Sequence, residues 1–310
     1  MLYTPLPDEA ARQTIDAMHL WQECAKVRRQ YQDFAGGMYW KKEGDYEYLV
    51  KTKARGKQER LGRRSADTER IHTEFQQRKA ALEPRLQSLE AQLVTAQRLN
   101  RAVRAGRVPN IVIDILNALD EAGLAQHFTV VGTHALYAYE AAAGVRIAQQ
   151  ALATQDVDLL WDARKRVRFM ADMAHLGKPV LKVLQEVDPT FERKELHNET
   201  AINAKGFMVD FLRRVPQGDD PHPFSFSEAE EEMWPVQAIR AHVLTEAPVF
   251  EHIVVGATGK MALMRTIAPQ VFAEFKRWLA VQPQREALKR SRDMSQAQIV
   301  QMLLDEGLLG

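Results

Sequence analysis

Phe128-Thr129-Val130-Val131-Gly132-Thr133-His134-Ala135-Leu136, followed by Thr154-Gln155-Asp156-Val157-Asp158-Leu159-Leu160-Trp161-Asp162, is the stretch on which the fold turns. Phe128 to Val131 is a short apolar run with β-branched residues, which reads as a buried strand. It passes through Gly132 directly into the alanine-rich segment 133–143, a helix that Gly144 closes. Residues 153–162 read as a second strand, with Asp162 capping a helix over 163–176 that stops at Gly177. Further out, 110–122 is an amphipathic helix ended by Gly123, and 206–215 contains a third strand with Asp210 at its centre. Strands interleaved with helices define a domain of mixed α and β structure.

The flanks have a different texture. Residues 8–35 read as a helix halted by Gly36-Gly37. Residues 38–54, rich in aromatic and β-branched residues around Glu43-Gly44-Asp45, form a hairpin signature. A helix restarts after Ala66 with Asp67 or Thr68 as its cap. Phe75, Leu82, Leu89, Ala96 and Val103 then recur every seventh position, while the companion track is apolar only at Leu86 and Leu93. This predicts a helical hairpin or short coiled coil, with Pro84 breaking the helix or starting a second one. Gly106 to Pro109 marks a boundary. Beyond Pro216 come a polar loop to about Phe226, two short strands around a glycine-bearing turn within 251–264, and helices over 269–281 and 294–307. The expected divisions are thus an arm over 1–105, a core over 106–215 and a mainly helical C-terminal region over 216–310.

Composition excludes several classes of protein. A hydrophobic content of 45% with 27% charged residues belongs to a globular chain with an ample core. No apolar run approaches the ~20 residues that cross a bilayer, so no membrane partner is expected. The N-terminal segment has neither a basic leader nor an apolar signal core, and Cys24 alone allows no intramolecular disulfide. Both features suit a reducing cytoplasm, with Cys24 an inert thiol on a helix. The nine histidines do not pair at zinc-ligand spacing. Gly259-Lys260 resembles the end of a phosphate loop. However, Val254 stands where its first glycine is required and Met261 where Ser or Thr is required.

The net charge of +1 hides an asymmetry. From Lys26 to Arg107 there are 20 Lys/Arg against 10 Asp/Glu, so the rest of the chain carries −9. Such a basic segment can attract a polyanion such as RNA, dock on its own acidic body, or be a solvated helical face.

The chemistry lies in three carboxylates. Alternation along a strand puts Asp156 and Asp158 on one face, with Val157 and Leu159 on the other. Two such carboxylates repel each other unless a cation lies between them, and Mg²⁺ prefers hard oxygen ligands. Asp210 on a neighbouring strand would allow a second ion. Gly132 lets the backbone approach phosphates, while the helix N-terminus and the Thr133 hydroxyl offer donors. His134 either touches a nucleotide or is a packed core side chain.

In this order, the Gly-Thr turn, the Asp-x-Asp strand and the later third Asp resemble the nucleotidyltransferases of the DNA polymerase β superfamily. The closer similarity is to a bacterial family with the strings seen here at Gly132 to Leu136, Tyr139 to Ala141, Gly144 to Arg146 and Thr154 to Asp162. It continues through Phe275 to Leu279 and Lys289 to Asp293, and less specifically into the Tyr39-Trp40-Lys41 hairpin. One departure is the separation of Thr133 from Asp156, 23 positions, wider than in minimal members of the superfamily.

The resemblance implies an α+β fold: a polymerase β-like nucleotidyltransferase core with a mixed sheet, a helical N-terminal arm with a β-hairpin, and a helical C-terminal region. It implies an enzyme that moves a nucleoside monophosphate from an NTP to a hydroxyl, using two Mg²⁺ ions held by Asp156, Asp158 and Asp210. Gly132, Thr133, Lys276 and Arg292 would bind the nucleotide, with Asp293 orienting the arginine. Some proteins of that general kind are toxins or antiphage factors that modify tRNA, so a tRNA 3′ end, a protein hydroxyl or a small molecule is an expected acceptor. The competing expectation is an inactive nucleotidyltransferase-like module that binds RNA or protein. The sequence leaves oligomeric state and base preference open.

Overall fold

The computed structural model describes residues 2–52, 58–218 and 220–309. It divides into two compact units, Arg12–Ala102 and a larger one formed by the first eleven residues with Val103 onward. The chain begins with β1 (Tyr3–Pro5) and α1 (Asp8–Gln32), then β2 (Met38–Glu43), β3 (Tyr46–Thr52), β4 (Gln58–Arg63) and α2 (Ala66–Ala102). No helix among the described residues is long and apolar enough to cross a membrane.

In the smaller unit α1 and α2 run antiparallel. Gln13 bonds Asn100 at 3.0 Å near one end, and Tyr31 bonds Glu83 at 3.2 Å towards the other. Between them Cys24, Val27 and Leu86 are buried, flanked by Tyr31, Leu82, Leu89 and Leu93. The heptad track is therefore a seam whose partner is α1: of the two expected forms, a hairpin within residues 75–103 is not formed, and two helices of the chain pack on each other instead. Nor does Pro84 break α2, which runs unbroken for 37 residues. Pro84 and Ala80, whose carbonyl the proline ring deprives of its bond, both lie on the exposed face. Water can satisfy that carbonyl while the leucine seam continues on the other side. The cap also differs from expectation. Ser65 precedes the helix and bonds reciprocally with Thr68, the Ser65 amide donating to Thr68 Oγ1 at 2.8 Å and the Thr68 amide to Ser65 Oγ at 3.4 Å.

The expected hairpin is present, with Tyr46 opposite Glu43 and Gly44 in the left-handed region at φ 61°. β4 adds a third antiparallel strand. Its lower hydrophobicity hid it from pattern reading. Met38, Leu49 and Phe75 form the small core under this sheet. Lys53 and Ala54, the end of the hairpin segment read from the sequence, lie outside the described residues.

The larger unit continues with α3 (Asn110–Glu121), β5 (Phe128–Val131), α4 (Leu136–Ala143), β6 (Val145–Ile147), α5 (Gln149–Leu152) and β7 (Asp156–Trp161). Then come α6 (Arg166–Leu176), α7 (Val180–Val187), β8 (Glu192–Lys194), β9 (His197–Ile202), β10 (Met208–Arg213) and β11 (Val236–Gln237). The chain finishes with α8 (Ala241–Glu246), β12 (Val249–Val255), β13 (Met261–Ile267), α9 (Pro269–Ala280) and α10 (Ala287–Asp305). The main sheet has the order β5-β7-β10-β9-β8, with β11 extending β10. It is mixed: β5 is antiparallel to β7, β7 is parallel to β10, and β10 is antiparallel to β9. The fold is α+β, as the resemblance implies.

The parallel step from β7 to β10 needs a long crossover, which α6, α7 and the β8–β9 hairpin supply. Below the sheet Phe128, Trp161, Phe169, Phe211 and Phe226 interlock edge to face. This aromatic layer fixes β5, β7 and β10 relative to one another, and with them whatever projects from the opposite face. β12 and β13 pair around Gly256–Lys260, so that segment is a hairpin turn and not a phosphate loop.

Candidate active site

β7 buries Val157 and Leu159 on one face, which obliges Asp156 and Asp158 to emerge on the other. β10 does the same with Val209 and Phe211, turning Asp210 to the side of the aspartate pair. The parallel register sets Asp210 opposite Asp158, and the antiparallel register of β5 sets Val131 on Asp158's other flank. One carboxylate oxygen from each of Asp156, Asp158 and Asp210 falls within 4.8 Å of the others. Among the described residues this is the one such convergence of three potential ligands.

The three charges are not at ease together. Burial pushes the Asp158 carboxyl up to about 7, and the negative charges of Asp156 and Asp210 push in the same direction against Lys276 and Arg285. Asp210 is also raised, mainly by burial, although the Thr200 hydroxyl donates to it at 2.5 Å. The Thr154 hydroxyl donates to Asp156. These hydroxyls aim the carboxylates without neutralising them. A set of hard oxygens, close together, partly desolvated and short of counter-charge, matches what a divalent cation with oxygen preference binds.

Gly132 serves this arrangement in a way alternation alone does not disclose. Its φ is +68°, and a Cβ there would lie 2.1 Å from Asp158 Oδ2. The glycine therefore provides the room that Asp158's carboxylate occupies, in addition to a floor for a ligand. Thr133 follows on a 3₁₀ turn that leads into α4. Its hydroxyl oxygen accepts from Gln296 Nε2 at 3.2 Å, while the same amide donates to the Ala151 carbonyl at 2.7 Å. With its oxygen so engaged, the Thr133 hydroxyl keeps its proton for a further acceptor.

Gly132, Thr133, Asp156, Asp158, Lys276 and Arg292 all line a single cleft of about 370 Å³. Its other wall is cationic. Lys276, on α9, is buried and bonds Asp293 Oδ1 at 2.8 Å, while Arg285 bonds Asp293 Oδ2 at 2.9 Å. Burial lowers the Lys276 ammonium from its ordinary range, and Asp293 opposes that shift. Asp293 thus orients Lys276 and Arg285, not Arg292 as expected. Arg292 instead donates to the Ala153 carbonyl at 2.9 Å, because α10 begins at Ala287 and not near residue 294, so that its neighbours point in different directions.

Two cleft cations, Arg285 and Lys289, went unassigned in the sequence. Arg285 lies between α9 and α10 in a stretch with no motif, and only the density of basic residues from Arg285 to Arg292 hinted at it. Gln296 was also missed, since nothing in a helix interior distinguishes a glutamine that will meet Thr133. His134 is buried. It packs between Tyr137 and Phe207, and burial pushes its ring down to about 4, so it is a neutral core side chain at neutral pH. Asp162 caps the following turn as expected, accepting from the Arg164 amide at 3.1 Å.

No curated protein and no solved structure matches the chain. A family model described as nucleotidyltransferase matches residues 110–308 and so takes in the aspartate triad, the glycine-threonine turn and the cationic wall together. On that match, which covers more than half of the chain, the protein belongs to that nucleotidyltransferase family.

Proposed function

We propose that the protein transfers a nucleoside monophosphate from an NTP to a hydroxyl group and releases pyrophosphate. The observation that carries this reading is the convergence of three aspartate oxygens within 4.8 Å beside a cleft walled by Lys276, Arg285 and Arg292. Acidic groups that require cations on one side and fixed cations on the other are what a magnesium triphosphate needs.

Asp156, Asp158 and Asp210 would hold two Mg²⁺ ions. When bound, these would supply Lewis-acid stabilisation of the phosphates and lower the pKa of the acceptor hydroxyl. The chain's own residues would do the rest. Asp210, at the edge of the triad, would accept the proton of the acceptor hydroxyl. The acceptor oxygen would bond to the α-phosphorus as the bond from that phosphorus to the bridging oxygen of the β-phosphate breaks. The electron pair would leave with pyrophosphate, towards Lys276, Arg285 and Arg292. Thr133 would donate its free proton to a phosphate oxygen. Phosphoryl chemistry asks for little beyond such positioning and charge balance. In this reading the division expected at residue 215 runs through one site, with the three acids and Thr133 before it and the phosphate-facing cations Lys276, Arg285 and Arg292 after it.

The acceptor in this reading is tRNA, with a protein hydroxyl as the competitor; the basic arm favours the polyanion. The test is incubation with each α-labelled NTP, Mg²⁺ and total cell extract, followed by partition into RNA, protein and small molecules. Label should enter RNA, require Mg²⁺, and vanish with Asp158→Asn. Nucleotide binding that ignores Mg²⁺, with no incorporation from any NTP, would instead establish an inactive binding module.

A further inference from the structure

The sheet of the smaller unit has two dissimilar faces. One carries Met38, Leu49 and Leu61 and packs on Phe75. The strand registers assign Tyr39, Lys41, Tyr46, Tyr48, Arg60 and Arg63 to the other. None of these rings belongs to the core cluster under the sheet, although Val50, paired with Tyr39 and Arg60 on their own side, is itself buried. Tyr39 and Tyr46 are nonetheless on that face, with Tyr46 53% exposed. Each arginine lies against a ring: the Arg60 guanidinium carbon is 3.2 Å from the centre of Tyr48, and that of Arg63 is 4.1 Å from Tyr46. Arg63 Nε also donates to the Tyr48 hydroxyl at 3.1 Å. Glu43 is the one acid within this group; it bridges Lys41 at 3.0 Å and Arg60 at 2.9 Å and so holds both in place.

We propose that this outer face of β2, β3 and β4 is a binding surface for single-stranded RNA. A sheet face with exposed rings gives unpaired bases a stacking platform, and it works without base-specific contacts because every base has a π face. Guanidinium groups already seated over the rings extend the platform, while their edges keep N–H donors for phosphate. Tyr46 and Tyr48 are two residues apart on one strand, about 7 Å, a separation that an unstacked chain of nucleotides can follow. Lys41, Arg60 and Arg63 exceed the single Glu43, so the surface complements a polyanion. An acidic peptide would satisfy the charges but leave the rings without a partner. The tyrosine hydroxyls and guanidinium edges provide the donors and acceptors that a 2′-hydroxyl uses, which selects RNA over DNA. This inference does not depend on the transfer reaction, and it can be read in a protein unable to perform that reaction.

The experiment uses the full chain carrying Asp158→Asn and a fluorescein-labelled, unstructured 20-nucleotide polyuridylate, with anisotropy followed from 50 to 300 mM salt. Binding should weaken linearly on logarithmic axes as salt rises. Tyr46→Ala should weaken binding by about tenfold, whereas Tyr46→Phe, which keeps the ring, should bind within about twofold of the parent. Arg63→Lys keeps the charge and loses the plane, and should fall between the two. Circular dichroism checks that each variant is folded; the exposed position of Tyr46 makes the Phe and Ala pair interpretable together. The proposal is overturned if polyuridylate does not bind at 50 mM salt, or if Tyr46→Ala and Tyr46→Phe bind alike. It is also overturned if the matching DNA oligonucleotide binds as tightly as the RNA, or if polyglutamate competes as well as unlabelled RNA.

Discussion

Replacing Asp158 by asparagine should make the metal-free protein more stable while removing its activity. Asp158 is half-buried at the wall of the cleft and flanked by Asp156 and Asp210, and its carboxyl is raised from 3.8 to about 7. A carboxyl that binds its proton more tightly when folded than when unfolded favours folding at low pH. That contribution is fully present below the unfolded value and is lost as pH rises through the folded value. At pH 8, without metal, the ionised group therefore costs on the order of 4 kcal/mol relative to its protonated form. Asparagine has the same shape without the charge, and its amide can donate to the neighbouring carboxylates. After the cost of burying that amide, the net stabilisation should be roughly 2–4 kcal/mol, or about 5–15 °C in melting temperature. The assay is differential scanning calorimetry at pH 5 and pH 8, in EDTA and in Mg²⁺. The wild type should lose stability between pH 5 and pH 8 in EDTA and regain it with Mg²⁺. The Asn variant should be higher at pH 8 in EDTA, respond little to Mg²⁺, and transfer no label. An Asn variant that melts at or below the wild type at pH 8 in EDTA would refute the reasoning, because neither burial nor the neighbouring acids would then be penalising the ionised Asp158.

Three further outcomes follow from the same geometry. Gly132→Ala places a methyl 2.1 Å from Asp158 Oδ2 at a φ of +68°, so it should cost about 1–3 kcal/mol in urea unfolding and lower transfer at least a hundredfold by displacing that carboxylate. Near-normal activity in that variant would mean Asp158 has other room. Lys276→Met keeps the side-chain volume and leaves Asp293 paired with Arg285, so stability should change little. Loss of a charge-assisted contact should weaken Mg-NTP binding by about 10–100-fold in calorimetry, and an unchanged Kd would remove Lys276 from the phosphate site. Pro84→Ala restores a hydrogen bond in the middle of α2 and should stabilise the smaller unit by up to about 3 kcal/mol, seen as a higher urea midpoint. A lower midpoint would mean the proline's restriction of the unfolded chain outweighs the helical bond.

Local pattern sufficed wherever one residue's neighbours in sequence decide its environment. Alternation along Asp156-Val157-Asp158 and Met208-Val209-Asp210 is a property of any strand, so the side on which each acid emerges could be read without coordinates. The left-handed glycines Gly144 and Gly177 close α4 and α6 for the same local reason. Pro84 shows where such rules fail: its intrinsic penalty is real, but a long seam against α1 outweighs it.

Pattern reading was enough for α3, β5, α4, β7, α6 and β10, for the three acidic positions and for the glycine-threonine turn that precedes them, but not for α7 or the β8–β9 hairpin that completes the main sheet. Tertiary structure alone decided which cations face them. Lys276 on α9 and Arg285 between α9 and α10 meet on the two carboxylate oxygens of Asp293, and Gln296 reaches Thr133 across 163 positions. Such pairings depend on the angle and rotation at which α9 and α10 settle on the sheet. That docking is set by many small apolar contacts with no short-range signature, whereas a strand's two faces are set by the chirality of its own backbone.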